Sequence, residues 1–219
     1  MVFGASNAET VDVDLFVTDA EGKSAVERFG GSEADDYPTQ WLPDSSILVQ
    51  TQGKAEDILI FRRDSVNGSP VLQADWQERN PAVSPDGRWL AYVSREGGRS
   101  DLYVRSWPSL RNRVKISEGS AQMANSSFPL WASDSRTLFY HQGLQINAAA
   151  LSTNSDSLRV SSRRVLEDSV RGILADLHPD GRRFLVLAVK PTTDTSVRAP
   201  RRTVVVTNWL STLRDRLGK

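Results

Sequence analysis

The chain has 219 residues, 39% hydrophobic and 25% charged, and its 27 acidic and 27 basic side chains cancel. This is a globular composition, with no apolar run near the roughly 18–20 residues of a membrane-spanning helix. The absence of cysteine rules out disulfides, thiolate metal sites and cysteine nucleophiles. The zero net charge hides a split: residues 1–78 hold fifteen acidic and five basic side chains, and residues 79–219 hold twelve and twenty-two. A chain polarised in this way can steer partners of either sign.

The N-terminal stretch Met1-Val2-Phe3-Gly4-Ala5-Ser6 has neither a basic leader nor a long apolar segment, so no signal peptide is expected. Val2–Ser6, Asp14–Thr18 and Ala25–Phe29 read as three strands, the second to fourth of a unit whose first strand is missing. Next comes Tyr37-Pro38-Thr39-Gln40-Trp41-Leu42-Pro43-Asp44-Ser45, a strand and turn leading into Ile47-Leu48-Val49. The clearest copy of this pattern is Asn80 to Ser94, where two apolar runs flank Pro85-Asp86-Gly87. Pro85 presets φ for a turn, Asp86 can bond the amides ahead of it, and Gly87 suits a positive φ. Trp89, Ala91 and Val93 then alternate with Leu90, Tyr92 and Ser94, which is strand periodicity. Two further copies follow, Phe128 to Tyr140 around Asp134 and Leu174 to Leu187 around Asp180-Gly181.

The turn aspartates Asp44, Asp86, Asp134 and Asp180 are 42, 48 and 46 residues apart, inside the range of propeller repeats. After each hairpin a third strand is expected, led by Asp57 or Asp101 in two units and replaced by Leu144–Ala150 in the third. Fourth strands are expected at Val71-Leu72, Arg113–Ile116 and Arg164–Leu166. Four strands per unit without helices between them describe a propeller blade. The expected segments are about 1–36, 37–78, 79–126, 127–172 and 173–207, in one domain. The last unit ends with a third strand, Thr203–Thr207, and lacks a fourth. A short amphipathic helix is expected at 208–217, with Asn208 as N-cap and Trp209, Leu210, Leu213 and Leu217 on one face. Three whole blades between two incomplete ones leave sheet edges exposed. Either the termini pair to close a ring of four or five blades, or the chain is an arc of a larger propeller.

The Ser-Pro-Asp-Gly-Arg turns and the Asp101-Leu102-Tyr103-Val104 strand resemble the TolB-like β-propeller repeat. Residues 80–108 and 165–217 resemble the C-terminal propeller of bacterial receptor-type serine/threonine kinases. His178-Pro179-Asp180-Gly181-Arg182-Arg183-Phe184-Leu185 and Val204-Val205-Val206-Thr207-Asn208-Trp209-Leu210 are similar to that family's closing segment. The Gly-rich, catalytic-loop and Mg-binding motifs of a kinase are absent, and so is the receptors' transmembrane helix. The resemblance therefore implies a binding or sensing propeller rather than kinase activity. Met1 reads equally as the start of a stand-alone chain or as the edge of a piece of a longer one.

Candidate chemistry is sparse. His178 takes the serine place of a turn and His141 ends a strand; neither sits in a Gly-x-Ser-x-Gly context, so no catalytic residue is assigned. Two separated histidines without cysteine do not make a zinc site. The four turn aspartates share one register, which fits turn closure, with Gly87 and Gly181, better than Ca²⁺ ligation. Gly30-Gly31 and Gly97-Gly98 lack a phosphate-loop pattern. Trp41, Trp89, Trp107 and Trp131 follow the repeat and fit packing between blades. No cofactor or metal is expected. The candidate partner-binding residues are the doublet Arg163-Arg164, the loop residues Arg198, Arg201 and Arg202, and Trp209, Leu213 and Leu217 of the terminal helix.

The expected function is a non-catalytic protein-interaction propeller, an extrinsic subunit of a bacterial membrane-associated assembly, binding protein and not nucleic acid. The resemblance favours the extracytoplasmic (periplasmic) face of the envelope, while the lack of a visible signal peptide points to the cytoplasm as the alternative. The alternative is a sensor that takes a small ligand in a central channel lined by strands such as Pro81-Ala82-Val83-Ser84.

Overall fold

The computed structural model describes residues 1–6, 12–21, 23–53, 56–119, 123, 128–154 and 157–187. Among these the chain forms five antiparallel sheets and one 3-10 turn at Glu96–Gly98. Within every sheet, strands adjacent in sequence are adjacent in space. Sheet I holds β1 (Val2–Ala5), β2 (Asp14–Val17) and β3 (Glu27–Gly30). Sheet II holds β4 (Asp35–Trp41), β5 (Ile47–Gln52), β6 (Ile58–Phe61) and β7 (Ser69–Leu72). Sheet III holds β8 (Glu78–Val83), β9 (Trp89–Ser94), β10 (Asp101–Ser106) and β11 (Val114–Lys115). Sheet IV holds β12 (Leu130–Trp131), β13 (Thr137–Gln142), β14 (Gln145–Thr153) and β15 (Leu158–Glu167). Sheet V shows β16 (Ile173–Leu177) and β17 (Phe184–Leu187).

The sheets stack face to face, and the period of two along each strand decides which neighbour a side chain meets. All six residues of β9 are buried. Trp89, Ala91 and Val93 enter a core shared with Leu138, Tyr140 and Ala149 of sheet IV. Leu90 and Tyr92 enter a second core with Leu48, Ile58 and Ile60 of sheet II. Strand β5 divides in the same way: Leu48 faces sheet III, while Ile47 and Val49 join Leu15 of sheet I. A strand buried on both faces needs apolar residues at consecutive positions, which is why Ile47–Val49 of β5 and Trp89–Val93 of β9 are unbroken apolar runs. Each buried Leu, Ile or Phe contributes about 1.5–3 kcal/mol relative to exposure, so the cores sit at the seams rather than at one centre.

Sheets IV and V meet through an edge-to-face pair, Phe139 and Phe184, with ring centroids 5.0 Å apart. Leu185 and Leu187 alternate with Phe184 and Val186 on β17 and are 55% and 53% exposed. At the opposite end of the stack, Phe3 and Phe16 are directly paired across β1 and β2 and stack on each other at 6.1 Å. They alternate with Val2, Leu15 and Val17, which pack toward sheet II.

The four hairpin turns share one backbone solution. The residue after each turn aspartate is left-handed: Ser45 at φ 65°, Gly87 at 68°, Ser135 at 55° and Gly181 at 68°. Glycine takes this conformation freely, whereas a side chain strains there. Ser45 is exposed, so Ser45→Gly is expected to raise stability by roughly 0.5–1 kcal/mol in urea unfolding. Ser135→Gly should show no such gain, because the Ser135 hydroxyl accepts the Asp86 amide at 3.0 Å and ties two turns together.

Two details differ from the sequence expectation. The fourth strand of sheet IV starts at Leu158, six residues before Arg164. It carries two register shifts against β14, between Ile146 and Asn147 and between Ala150 and Leu151. These bulges break the apolar alternation and disguise the strand as a polar loop. The third strand of that sheet runs on to Thr153. The terminal strand Thr203–Thr207 and the helix 208–217 lie outside the described residues.

Candidate functional site

The first strands of four sheets, β4, β8, β12 and β16, converge on a cavity of about 650 Å³. Its wall is built from Pro38, Pro81, Ala82, Val83, Leu130 and Trp131, with Asp176 and His178 toward the turns. Proline suits this position because an innermost strand has no further strand to donate to. The free backbone groups of β8 are taken by side chains of the neighbouring sheets. The Gln40 carboxamide receives the Val83 amide at 2.7 Å and donates to the Val83 carbonyl at 3.1 Å. Trp131 Nε1 donates to the Ala82 carbonyl at 3.0 Å, and Gln50 Oε1 accepts the Asn80 amide at 2.8 Å. Asp176 Oδ1 accepts its neighbour Leu177's amide at 2.7 Å. The wall therefore offers largely apolar surface, with the polar groups of Gln40 and Trp131 engaged within the chain.

The turns form the rim on one side. Asp44 Oδ1 accepts the Ser46 amide at 3.0 Å, Asp86 Oδ1 that of Arg88 at 3.1 Å, Asp134 Oδ1 that of Arg136 at 2.8 Å and Asp180 Oδ1 that of Arg182 at 2.9 Å. The same i to i+2 bond closes all four. Hydrogen bonds from Ser46 hold the Asp44 carboxyl below the usual range. At Asp134 burial works the other way and is outweighed by the Arg136 and Thr137 amides. The Arg182 amide, then His178 and Arg183, lower Asp180. His178 stands beside Asp180 at 3.0 Å, with Arg183 Nη2 3.0 Å from its Nε2.

Against this geometry, several known proteins are similar. No model of a known family matches the chain. A stretch of 43 residues is 44% identical to the Tol-Pal system protein TolB of Hydrogenovibrio crunogenus, covering 20% of this chain and 10% of that protein. The structure of TolB from Acinetobacter baumannii superposes with a TM-score of 0.63 at 14% identity, over 88% of this chain and 47% of the other. A TolB candidate from Agrobacterium tumefaciens gives 0.60 at 14% identity, over 87% and 71%. The chain has the TolB-like propeller fold. It spans a tenth of the curated relative's length and about half of the Acinetobacter chain.

In this TolB-like frame the other singled-out residues take definite places. Arg163 is committed to its own chain: Nε donates to the Ile116 carbonyl at 2.7 Å and Nη1 pairs with Glu118 at 2.7 Å, joining sheets III and IV. Arg164 follows it on β15 and is exposed. His141 is buried in β13, and burial lowers its pKa so that it stays neutral. Arg198, Arg201, Arg202, Trp209, Leu213 and Leu217 lie outside the described residues. Among the described residues no group of three or more His, Asp or Glu could hold a metal ion, and no helix is long and apolar enough to cross a membrane. The Gln40, Gln50 and Trp131 bonds escaped sequence reading, since a glutamine in a strand carries no mark of the sheet it will reach.

Sheets I and II meet at an acidic seam. Asp14 is held by Arg28 at 2.9 and 3.1 Å, and Asp35 Oδ1 accepts the Val13 amide at 2.9 Å. Asp36 is fully buried, accepting the Ser32 amide at 2.6 Å and the Ser32 hydroxyl at 3.0 Å. Burial, aided by Asp14 and Asp35, pushes its pKa up to about 6 against the Ser32 bonds. A raised carboxyl binds its proton more tightly folded than unfolded, so its contribution is greatest below the unfolded value near 4 and is lost as pH rises through about 6. Lowering pH from about 7.5 to about 5 is expected to stabilise the protein by about 1 kcal/mol more than it stabilises Asp36→Asn. Equal slopes for the two proteins in urea titrations across that window would refute the assignment.

Proposed function

We propose that this chain is a non-catalytic, protein-binding propeller of four to five blades, an extrinsic subunit of a bacterial envelope assembly on its extracytoplasmic face. The observation that carries the reading is the central cavity. Polar metabolites need several unengaged polar groups converging on them, and here Gln40 and Trp131 spend theirs on the neighbouring strand. An apolar wall ringed by polar turns fits instead an apolar anchor side chain of a protein partner, the usual centre of an interface. The TolB-like fold supports this, and so does the likeness of a 43-residue stretch to a protein of the Tol-Pal system. The split of charge between the two parts of the chain would orient such a partner.

The test is a photo-crosslinking residue in place of Ala82, which lines the cavity and is partly exposed. In native membrane extract it should give a discrete protein adduct, and Ala82→Arg should abolish co-purification of the same protein without unfolding the chain. A chain that forms no adduct and elutes as a monomer from that extract overturns the proposal. A second reading, a small-ligand sensor related to receptor-kinase propellers, is favoured by one observation: about 650 Å³ lies within the size range of ligand pockets. A metabolite that raises the melting temperature of the wild type and leaves that of Ala82→Arg unchanged would decide for it.

A further inference from the structure

A second cavity, of about 350 Å³, lies between sheets III and IV toward their fourth strands. One transverse row of sheet IV lines it: Tyr140 of β13 is paired with Asn147 of β14, and Asn147 with Val165 of β15. Tyr140 also belongs to the core shared with sheet III, so this row faces that sheet. Glu118, which follows β11, lines the other side. Gln142 Nε2 donates to the Glu118 carbonyl at 2.6 Å, and Arg163 Nη1 pairs with the Glu118 carboxylate at 2.7 Å. Arg164 lines the cavity as well; it is exposed and has no ion pair or hydrogen bond among the described residues.

Tyr140 supplies the observation that points to a ligand. The side chain is 2% exposed, yet its hydroxyl makes no hydrogen bond within the chain. The hydroxyl is not sealed in protein, and the surface it keeps opens on the cavity. Burial pushes its pKa up, and the charges of Arg163 and Glu118 act on it in opposite senses, so at neutral pH it is an O–H donor. A buried tyrosine hydroxyl ordinarily finds a partner, and one without calls for an explanation. Asn147, 8% exposed, spends its Nδ2 on the Gln145 carbonyl at 3.1 Å, which leaves its Oδ1 as an acceptor. Directly paired residues of neighbouring strands stand about 4.5–5.5 Å apart at Cβ. A donor and an acceptor side by side match the carbonyl and N–H of an amide. We propose that this cavity binds a small ligand carrying an amide and a carboxylate. The amide carbonyl accepts the Tyr140 hydroxyl, the amide N–H donates to Asn147 Oδ1, and the carboxylate meets Arg164. A free amide amino acid and the C-terminal end of a peptide share this chemistry. The site is separate from the central cavity and does not depend on what binds there.

The side-chain amide signals of Asn147 in ¹⁵N-labelled full-length protein test the proposal, with L-glutamine and glycylglycine as probes. At least one probe is expected to move them saturably in the millimolar range. Acetate, which lacks the amide, should do so about tenfold more weakly or not at all. A response to glutamine supports a free amino acid as the source of the ligand, and a response to glycylglycine alone supports a peptide end. Tyr140→Phe removes only the hydroxyl and should weaken binding by about two- to tenfold, the value of one neutral hydrogen bond. Its urea midpoint should match that of the wild type, because the hydroxyl has no bond within the chain to lose. Signals that both probes leave in place overturn the proposal. So does an affinity unchanged in Tyr140→Phe, or acetate binding as tightly as the better probe.

Discussion

Trp89→Ala is expected to destabilise the protein by about 3–5 kcal/mol, the range for emptying a buried aromatic site. Trp89 is among the largest fully buried side chains and sits in the core that sheets III and IV share. Stability of a single domain is itself about 5–15 kcal/mol, so the variant should be half unfolded at urea concentrations that leave the wild type intact. Leu90→Ala, one residue on, removes contacts on the other seam, with sheet II. Its cost should be about 2–5 kcal/mol. Amide exchange tells the two apart: Trp89→Ala should lose protection first in β13 and β14, and Leu90→Ala first in β5 and β6. The same pattern in both variants would contradict the assignment of alternate residues to separate cores.

Asp101→Ala should cost about 2–3 kcal/mol, because it strands three partners at once. Asp101 Oδ1 accepts the Ser117 hydroxyl at 2.9 Å and Arg99 Nη2 at 3.2 Å, while Oδ2 pairs with Lys115 Nζ at 2.8 Å. Ser117 in turn accepts the Leu102 amide at 3.1 Å, so the carboxylate anchors the start of β10 to the segment after β11. Burial raises the Asp101 pKa, and the bonds from Lys115, Ser117 and Arg99 outweigh it, so the net shift is downward. A lowered carboxyl contributes stability above the unfolded value near 4, lost as pH falls through the folded one. Asp101 thus behaves oppositely to Asp36. Urea midpoints of Asp101→Ala and wild type should converge in acid and separate above about pH 5; a constant gap would show that the carboxylate's charge is immaterial.

The repeat was legible because its punctuation is local. Asp86 and Gly87 act within two residues of themselves, and the strand on either side shows its period of two without reference to anything distant. The alternation in β9 also held the seam assignment in plain view, since a strand apolar on both faces must be covered on both. What stayed hidden depends on distance. Arg163 looks like half of a basic surface doublet, and only the approach of Ile116 and Glu118 from 45–47 residues away makes it an inter-sheet tie. Strand β15 shows only Arg164–Leu166 as a strand in the sequence because bulges interrupt its pattern, and the partner that reveals the rest is β14. The unpaired hydroxyl of Tyr140 is invisible to any reading of composition, because an unmade bond exists only once the ring is in place.

Because each seam is built half from one sheet and half from the next, severing the polypeptide in the link between β7 and β8 would bare two complementary sticky faces, Leu48, Ile58 and Ile60 on one piece and Leu90 and Tyr92 on the other. Expressed apart, the two fragments should each be poorly soluble and should recover native signals when mixed. Such reassembly makes the molecule a natural split reporter.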